Sequence, residues 1–223
     1  MNLALVCVGG GSSSRFGGDK LAASLGRRCV FASAIAALTR AFPEAAMVVV
    51  VPGDRLPVWR DRLQPDFPEA RLIAGGPRRQ DSVRAGIELA VEGGADVVAV
   101  HDAARPLVHR DDVRAVVAGL GEASAAILST RVTDTVKRAD EDGMVVDTAP
   151  REELLFAQTP QVFRASVLME AWRAVDPARE WTDESTLLEW AGFPVRCVVA
   201  KHPNPKLTTE ADLELMRCLM EVL

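Results

Sequence analysis

A glycine-rich loop with two cations is the first part of the sequence whose residue types could do chemistry. The stretch GGGSSSRFGGDK, Gly9 to Lys20, directly follows an apolar run. Glycines let the backbone approach a ligand closely, successive N–H groups form a nest for anions, and Arg15 and Lys20 add positive charge. A flexible loop with solvated cations is the simpler alternative. Both cations in a first βα turn favour a polyphosphate site instead.

The loop departs from two common nucleotide-binding motifs. Lys20 is followed by Leu21, where a Walker A loop has the Ser or Thr that binds magnesium. The loop also lacks the third glycine of a dinucleotide fingerprint, and Asp54 comes too late in the chain to bind the ribose. The second departure disfavours an NAD-dependent oxidoreductase.

A second candidate lies in VHDAARP, Val100 to Pro106, where an apolar run ends in polar and charged residues. Polar residues before a proline are ordinary loop residues, and a buried parallel strand must end somewhere. The carboxyl end of such a strand is also where open α/β sheets bind their ligands. Asp102 and Arg105 are therefore candidate ligand contacts.

These two stretches and several others resemble one family. The glycine loop is similar to the signature loop of nucleotidyltransferases, and the ordered set resembles the 2-C-methyl-D-erythritol 4-phosphate cytidylyltransferases. The further stretches are AGGPRRQDSVRAGI (Ala74 to Ile87), DTVKR (Asp134 to Arg138), REELLFAQTPQVF (Arg151 to Phe163), TDES (Thr182 to Ser185) and NPKLTTEADL (Asn204 to Leu213). Each motif alone is weakly or moderately specific, but the ordered set spans nearly the whole chain and is highly specific.

The resemblance implies a reaction and four catalytic cations. A methylerythritol phosphate oxygen would attack the α-phosphate of CTP, with pyrophosphate leaving and Mg²⁺ assisting. Arg15 and Lys20 match the family's transition-state cations, and Arg151 and Lys206 match the residues that position the acceptor phosphate. Local sequence alone favours a solvated charge for Arg151 in PREE, but its place before QTPQ matches the family.

The resemblance also implies a set of substrate-binding positions. Gly76 and Ser82 match contacts to the cytosine, and Ser82 could equally serve the N-cap of a helix. Thr135 and Thr159 match positions near the acceptor, with Thr159 opening a TPQ turn, although both could be ordinary strand and turn threonines. The full set is Gly9, Gly10, Gly11, Ser13, Gly76, Ser82, Asp102, Ala103, Arg105, Thr135 and Thr159.

Asp102 is also the candidate protein ligand for Mg²⁺ or another divalent cation. The stretch HPNPK departs from the family pattern, because Pro203 stands where an acidic metal-side residue is expected. Proline contributes no carboxylate, so we expect the triphosphate to hold most of the metal's coordination shell. The three histidines, His101, His109 and His202, lack metal-ligand spacing, which disfavours a zinc site.

The elements that must position these residues alternate along the chain. Continuous β-branched runs alternate with helical patterns, which is typical of βα units around a mostly parallel sheet. Predicted strands cover Leu3–Val8, Ala46–Val51, Arg71–Ala74, Asp96–Val100, Ala125–Ser129 and Val195–Ala200. Predicted helices cover Val30–Arg40, Ser82–Val91, Asp111–Gly119, Ala165–Val175, Glu184–Ala191 and Glu210–Glu221, with Asp183 interpreted as a helix cap. We expect a three-layer α/β, Rossmann-like fold, which the resemblance identifies with the nucleotide-diphospho-sugar transferases.

One segment, Thr133 to Ala157, breaks this alternation. The turn DEDG lies between two short β-prone pieces, which predicts a hairpin arm projecting from the sheet. Such an arm is weakly stable alone, so we expect it to pair with a second subunit in a homodimer. Because Arg151 lies on the arm, the resemblance implies that it reaches the neighbouring subunit's active site.

Composition bounds the remaining possibilities. A length of 223 residues with 48% hydrophobic content predicts one domain over residues 1–223. A net charge of -5 and a pI near 5.3 leave no basic field for nucleic acid or an anionic membrane. The short apolar start without a basic leader predicts a strand rather than a signal. The dispersed cysteines favour a reducing cytoplasm; they are Cys7, Cys29, Cys197 and Cys218.

The resemblance implies that the function is cytidylyl transfer from CTP to a polyol phosphate, methylerythritol phosphate, in non-mevalonate isoprenoid biosynthesis. One alternative is the same chemistry on ribitol 5-phosphate or another sugar phosphate. Another is a nucleotide-binding regulator without turnover. Such a regulator has no need of cations on both reacting phosphates, so the presence of Arg15, Lys20, Arg151 and Lys206 disfavours it.

Overall fold

A seven-stranded sheet organises the chain. The computed structural model describes residues 1–10, 16–176 and 178–222. The strands are β1 (Leu3–Val8), β2 (Ser24–Leu25), β3 (Arg28–Cys29), β4 (Ala46–Val51), β5 (Arg71–Ala74), β6 (Val97–Asp102), β7 (Ala125–Arg131), β8 (Val136–Ala139), β9 (Val145–Ala149), β10 (Leu155–Arg164) and β11 (Val195–Val199). The helices are α1 (Val30–Ala41), α2 (Leu56–Leu63), α3 (Arg79–Glu92), α4 (Arg110–Gly119), α5 (Ala165–Ala174), α6 (Glu184–Trp190) and α7 (Glu210–Val222), with short 3₁₀ turns at Gly53–Arg55 and Arg151–Glu153.

The main sheet is parallel except for one strand. Its order is β11-β7-β10-β6-β1-β4-β5. Strand β10 runs antiparallel to both of its neighbours, β6 and β7, whereas the other neighbouring pairs are parallel. Parallel strands bring their carboxyl ends to one edge, where α/β sheets of this kind bind ligands. The predicted mostly parallel α/β sheet is confirmed.

Side chains alternate across the sheet and pack against helices on both faces. In β1, Leu5 belongs to a core that includes Phe31 of α1, whereas its neighbour Val6 belongs to a second core that includes Ile87 of α3. All six residues of β1 are buried, as expected for a parallel strand that is covered on both sides. The three predicted layers are therefore present.

The predicted hairpin is present and forms its own two-stranded sheet. Strands β8 and β9 pair antiparallel, and Gly143 in the connecting turn has a φ of +80°, a conformation that favours glycine. The apolar residues Met144, Val145 and Val146 are 60 to 67% exposed within one chain. The arm therefore carries apolar surface that its own chain leaves uncovered.

The carboxyl end of the arm differs from the prediction. Leu155 to Arg164 form strand β10 of the main sheet, so Thr159 lies within a strand and not in a turn. The pairing of β10 with β7 shifts register between Ala157 and Gln161. Pro160, which has no N–H to donate, lies within this interruption, where a strand tolerates proline best. Sequence reasoning took the same proline as a turn signal.

The helices differ most from the prediction at α2 and at the start of α3, and other bounds differ by one residue. Helix α2 was not predicted, because only Trp59 and Leu63 are buried and its apolar pattern is short. Helix α3 begins at Arg79, three residues earlier than expected. Asp183 caps α6 as predicted, accepting the N–H of Thr186 at 2.9 Å. None of the helices in the described ranges is long and apolar enough to cross a membrane.

Candidate functional site

The carboxyl ends of β1 and β6 lie side by side in the middle of the sheet. In this parallel pair Val8 lies opposite Asp102, the last residue of β6. The N–H of Ala103 donates to the Val8 carbonyl at 3.0 Å, and the N–H of Gly9 donates to the Val50 carbonyl at 2.8 Å. The start of the glycine loop and the VHDAARP stretch therefore share one edge of the sheet.

The glycine loop meets the amino end of α3 at this edge. A Cβ on Gly10 would lie 3.3 Å from Oγ of Ser82. Ser82 is buried, and its Oγ lies 3.2 Å from the carbonyl oxygens of Gly76 and Arg78. The N-cap is Arg78, whose N–H donates to the Asp81 carboxylate at 3.2 Å, so Ser82 is not the cap itself but contacts the cap residue through its hydroxyl. Gly76 and Ser82, which were predicted to act together, are in contact.

Asp102 is the charged centre of the edge. Its side chain is 13% exposed, with Lys206 Nζ donating to Oδ2 at 2.7 Å and Arg79 Nη2 donating to Oδ1 at 3.3 Å. The other amino group of Arg79, Nη1, lies 3.0 Å from both carboxylate oxygens of Glu184. The Glu184 side chain is only 2% exposed. Four ionisable side chains thus form a continuous chain of contacts from the buried Glu184 to the exposed Lys206.

These contacts determine the ionisation of the cluster. Burial alone would raise the pKa of the Asp102 carboxyl, but Arg79 and Lys206 outweigh it and hold that pKa below its ordinary value. Burial acts to lower the pKa of Arg79, yet Glu184 and Asp102 raise it above its ordinary value. Asp102 and Arg79 are therefore both charged at neutral pH.

His101 and Thr159 hold the backbone in place at Asp102. The N–H of Asp102 donates to the Thr159 hydroxyl at 3.0 Å, and that hydroxyl lies 3.1 Å from Nδ1 of His101. Nε2 of His101 lies 2.9 Å from the carbonyl oxygen of Arg105. A carbonyl only accepts, so Nε2 carries the proton and the Thr159 hydroxyl donates to Nδ1. Burial lowers the pKa of His101 to about 4, which keeps the ring neutral.

Thr159 therefore orients the end of β6 from the neighbouring strand. It is buried, and its hydroxyl has partners in both of its roles, as acceptor and as donor. The substrate contact expected of Thr159 stays a prediction.

The segment that carries Lys206 is anchored on both sides of that residue. Nη1 of Arg105 donates to the Asn204 carbonyl at 2.7 Å. The N–H of Leu207 donates to the Ala104 carbonyl at 2.8 Å. Two residues of the VHDAARP stretch thus hold the backbone around Lys206 while its long side chain reaches Asp102.

A buried carboxylate anchors the same segment further upstream. Asp112, in the first turn of α4, accepts the main-chain N–H groups of Lys201 and His202 at 2.9 and 3.0 Å. Nδ1 of His202 lies 3.0 Å from the same carboxylate, and its ring stacks on His109 at 3.7 Å. These contacts give two of the histidines a structural role.

The two predicted residues of the arm have no hydrogen bond or ion pair to this cluster among the described residues. Arg151 and Thr135 are exposed. Nη1 of Arg151 donates to the Thr133 carbonyl at 2.7 Å, and its Nε lies 3.5 Å from the Glu152 carboxylate. Among the described residues these partners all belong to the arm, and none of them is a member of the charged cluster. The predicted role of Arg151 stays a prediction.

The glycine loop is described only in part. Outside the described residues lie three predicted positions, Gly11, Ser13 and Arg15. Lys20 is half-buried in the turn that follows them. The preceding Asp19 accepts from Arg55 Nη2 at 2.6 Å and from the N–H of Leu21 at 3.2 Å. Asp19 thereby fixes the turn to which Lys20 belongs.

The donor set fits a magnesium ion that arrives with a nucleotide. Within the described ranges, no group of three or more His, Cys, Asp and Glu side chains could hold a metal ion. Asp102 contributes one carboxylate, and each of its oxygens already faces a cation. Mg²⁺ at phosphate sites commonly uses one or two protein carboxylates and takes its other ligands from phosphates and water. Asp102 can supply that single contact.

Three residues of the cluster were not selected from the sequence. Arg79 lies in GGPRRQDS and Glu184 in TDES, both within motifs that were recognised, and His101 precedes Asp102. The sequence signal for this pair is an arginine in one recognised motif and a glutamate in another, because a glutamate that becomes buried requires a charged partner. The burial of Glu184 becomes evident only once α6 packs against the sheet.

Comparison with known proteins gives matches along nearly the whole chain. A family model described as 2-C-methyl-D-erythritol 4-phosphate cytidylyltransferase matches residues 1–222. The 2-C-methyl-D-erythritol 4-phosphate cytidylyltransferase of Syntrophotalea carbinolica is 36% identical over 201 residues, which cover 88% of this chain and 86% of that protein. The bifunctional enzyme IspD/IspF of Rhodopseudomonas palustris strain HaA2 is 38% identical over 212 residues, or 93% of this chain and 52% of that protein. The chain thus spans about half the length of this bifunctional relative.

The architecture is shared with a solved member of the same group. The crystal structure of 2-C-methyl-D-erythritol 4-phosphate cytidylyltransferase from Thermus thermophilus superposes with a TM-score of 0.79 at 29% identity, covering 99% of this chain and 100% of that one. The predicted nucleotide-diphospho-sugar-transferase-like fold is thereby confirmed. The charged cluster is built from residues of the motifs that resemble this family. Because the family model matches residues 1–222, this chain belongs to the 2-C-methyl-D-erythritol 4-phosphate cytidylyltransferase family.

Proposed function

We propose that this protein transfers a cytidylyl group from CTP to 2-C-methyl-D-erythritol 4-phosphate and releases pyrophosphate, a step of non-mevalonate isoprenoid biosynthesis. The observation that carries the proposal is the pairing of Lys206 with Asp102 at 2.7 Å, beside the glycine loop, in a chain that belongs to this family. A cation from the end of the chain thus lies at the sheet edge where a nucleotide would bind.

The proposed reaction joins two phosphates. An oxygen of the acceptor phosphate forms a bond to the α-phosphorus of CTP, and the bond from that phosphorus to the β-phosphate oxygen breaks. Pyrophosphate leaves with the electron pair of the broken bond. Such chemistry depends mainly on positioning and on stabilising negative charge.

Each proposed cation has a place in this reaction. Arg15 and Lys20 would stabilise charge on the triphosphate, and Lys206 and Arg151 would hold the acceptor phosphate. Loss of one well-placed donor to developing negative charge costs about 3 kcal/mol of transition-state stabilisation. The turn fixed by Asp19 and the anchored segment around Lys206 support these assignments.

Substrate contacts follow from the same edge. Gly10, Gly76 and Ser82 lie at the junction of the glycine loop and α3, which suits close approach of a nucleotide, and Gly9 begins the same loop. Ala103 and Arg105 follow Asp102 directly, and the buried Nε of Arg105 has no hydrogen-bond partner among the described residues. That N–H is a donor that a substrate oxygen could accept from.

We propose Mg²⁺, or another divalent cation, as the cofactor. When bound, the ion would neutralise charge on the phosphates of CTP. Asp102 would contact it, and the phosphates would supply most of its other ligands. Two observations support few protein ligands for the ion: Pro203 offers no carboxylate, and both oxygens of Asp102 already face cations.

We also propose a homodimer in which Arg151 acts in the partner's site. Two observations support this arrangement: the arm exposes apolar residues, and the hydrogen bond of Arg151 is to the arm's own Thr133. The arm would be a dimerisation element of a single domain. A cytoplasmic location is proposed from the four free cysteines, since disulfides are rare there.

Pyrophosphate release tests the proposal. Purified protein with CTP and Mg²⁺ should release pyrophosphate with 2-C-methyl-D-erythritol 4-phosphate and far more slowly with ribitol 5-phosphate. A preference for ribitol 5-phosphate would overturn the acceptor assignment. CTP binding by calorimetry without release with any sugar phosphate would favour the nucleotide-binding regulator.

A further inference from the structure

We propose that Arg79 is a positioning residue, whose role is to hold Asp102 so that Lys206 can leave this carboxylate for a substrate phosphate. The inference deepens the proposed function and rests on it. Its basis is that one carboxylate is shared by two unequal cations, with Arg79 on Oδ1 at 3.3 Å and Lys206 on Oδ2 at 2.7 Å.

Arg79 is the fixed partner of Asp102. Its Nη1 lies 3.0 Å from both oxygens of Glu184, which is 2% exposed. Glu184 is the first residue of α6, and its neighbour Asp183 caps that helix and accepts from Gln161 of β10 at 2.8 Å. The guanidinium is therefore tied at its far side to a buried carboxylate on a rigid element.

Lys206 is the exchangeable partner. Its ammonium group is carried on a flexible four-carbon stem, and its side chain is 43% exposed. The backbone on either side of Lys206 is anchored, so the ammonium group can move without displacing the segment. An incoming phosphate competes with Asp102 for this ammonium group.

The second cation makes this exchange favourable. The Asp102 side chain is only 13% exposed, and a buried charge that loses its sole partner is strongly destabilising. With Arg79 in place, Asp102 remains paired after Lys206 has left. Without Arg79, Asp102 would retain Lys206 and compete more strongly with the acceptor phosphate.

The test replaces the whole Glu184–Arg79 pair. Removing one partner alone leaves an unpaired buried charge and endangers folding, whereas apolar replacement of both is often neutral. We therefore compare Arg79→Met/Glu184→Leu with Arg84→Met/Glu88→Leu, which removes an exposed pair 2.8 Å apart on the same helix. Each double variant removes one basic and one acidic side chain.

The kinetic result expected is a selective change in acceptor binding. In Arg79→Met/Glu184→Leu the KM for the acceptor should rise roughly tenfold while the KM for CTP stays within about twofold. The control should keep both KM values, and Arg79→Lys with Glu184 intact should restore most of the acceptor affinity. An unchanged acceptor KM in a folded variant, or an equal rise in both KM values, would overturn the inference.

A second measurement does not depend on activity. The four lysines of the chain are Lys20, Lys137, Lys201 and Lys206. Limited acetylation with acetic anhydride, read residue by residue by mass spectrometry, compares Lys206 with the exposed Lys201 on the same segment. In Arg79→Met/Glu184→Leu we expect the ratio of Lys206 to Lys201 acetylation to fall roughly threefold, since Lys206 is then the one cation among the described residues that is hydrogen-bonded to Asp102. An unchanged ratio would refute the role of Arg79.

The two measurements separate the possible failures. Suppose that the wild-type protein releases no pyrophosphate but the acetylation ratio falls in Arg79→Met/Glu184→Leu as expected. The proposed function is then wrong, whereas the inference that Arg79 holds Asp102 is confirmed. If pyrophosphate is released and neither the acceptor KM nor the ratio responds, the proposed function stands and Arg79 is not a positioning residue.

Discussion

Nη1 of Arg105 donates to the main-chain carbonyl of Asn204 at 2.7 Å, joining the loop after β6 to a segment 99 residues further along the chain. This hydrogen bond connects the two motifs that supply Asp102 and Lys206. The backbone near Lys206 is therefore held by the same loop whose first residues follow Asp102.

Arg105→Ala should impair both stability and activity. A hydrogen bond to a charged donor contributes roughly 2 kcal/mol, and we expect a loss of about that size in the free energy of unfolding. The rate should fall as well, because the segment around Lys206 loses an anchor. Arg114→Ala is the matched control, since Arg114 also donates to a main-chain carbonyl, that of Ala41 at 3.1 Å.

Denaturant unfolding and pyrophosphate release would be measured on both variants. The control should lose stability without losing kcat/KM measured on folded protein. Equal activity of the two variants would show that the Arg105 anchor has no bearing on the site.

Lys206→Ala should reduce kcat/KM about 100-fold or more while leaving the fold intact, because an exposed ammonium group contributes little to stability but holds the reacting phosphate. Lys201→Ala, five positions earlier on the same segment, removes an exposed lysine outside the cluster. Steady-state kinetics on both variants would check this. Comparable kcat/KM values for Lys206→Ala and Lys201→Ala would contradict the assignment.

The stability of the protein should fall in acid through His101. Burial depresses the pKa of this ring to about 4 in the folded state, against about 6.5 when unfolded. The unfolded chain therefore binds the proton first, and the stabilisation present above the unfolded pKa is lost as the pH falls towards the folded pKa. The contribution from His101 between about pH 7 and about pH 5 is roughly 2 kcal/mol.

His101→Gln provides the comparison. Denaturant unfolding at both pH values, in buffer with a chelator, should show that the variant loses about 2 kcal/mol less than the wild type on acidification. Identical losses in the two proteins would mean that His101 is not held neutral in the folded state.

Val146→Glu should weaken the proposed dimer without unfolding the chain. Val146 is 65% exposed on the arm, so a carboxylate there is solvated in one chain but would be desolvated against a partner. Sedimentation velocity should show a shift towards monomer, and activity should fall because Arg151 could no longer reach the partner's site. Val58→Glu, at an apolar residue 45% exposed on α2, is the control. A monomer with undiminished activity would contradict a role for Arg151 in the partner's site.

Strands with a simple pattern were predictable from the sequence. The bounds of β1, β4 and β5 match the prediction because buried parallel strands are continuous apolar runs bounded by loop residues. Strand β10 was missed because a proline and polar residues lie in its middle. Only the register shift against β7 shows how the strand accommodates them.

Site residues that lie at motif positions matching the family were predictable from the sequence, whereas residues whose role depends on burial were not. Asp102 and Lys206 were expected at the same site and lie in contact, although 104 residues separate them. Arg79 and Glu184 were overlooked, because an arginine and a glutamate in polar motifs are usually solvated. Their pairing joins the first residue of α3 to the first residue of α6, a tertiary contact that no local pattern encodes.

Isotope transfer tests the proposed reaction most directly. The acceptor 2-C-methyl-D-erythritol 4-phosphate would be prepared with ¹⁸O in its phosphate and incubated with the protein, CTP and Mg²⁺. If an acceptor oxygen attacks the α-phosphorus, ³¹P NMR should show ¹⁸O in the new diphosphate bridge and none in the released pyrophosphate. Failure to form that product with folded protein, or ¹⁸O in the pyrophosphate, would contradict the account.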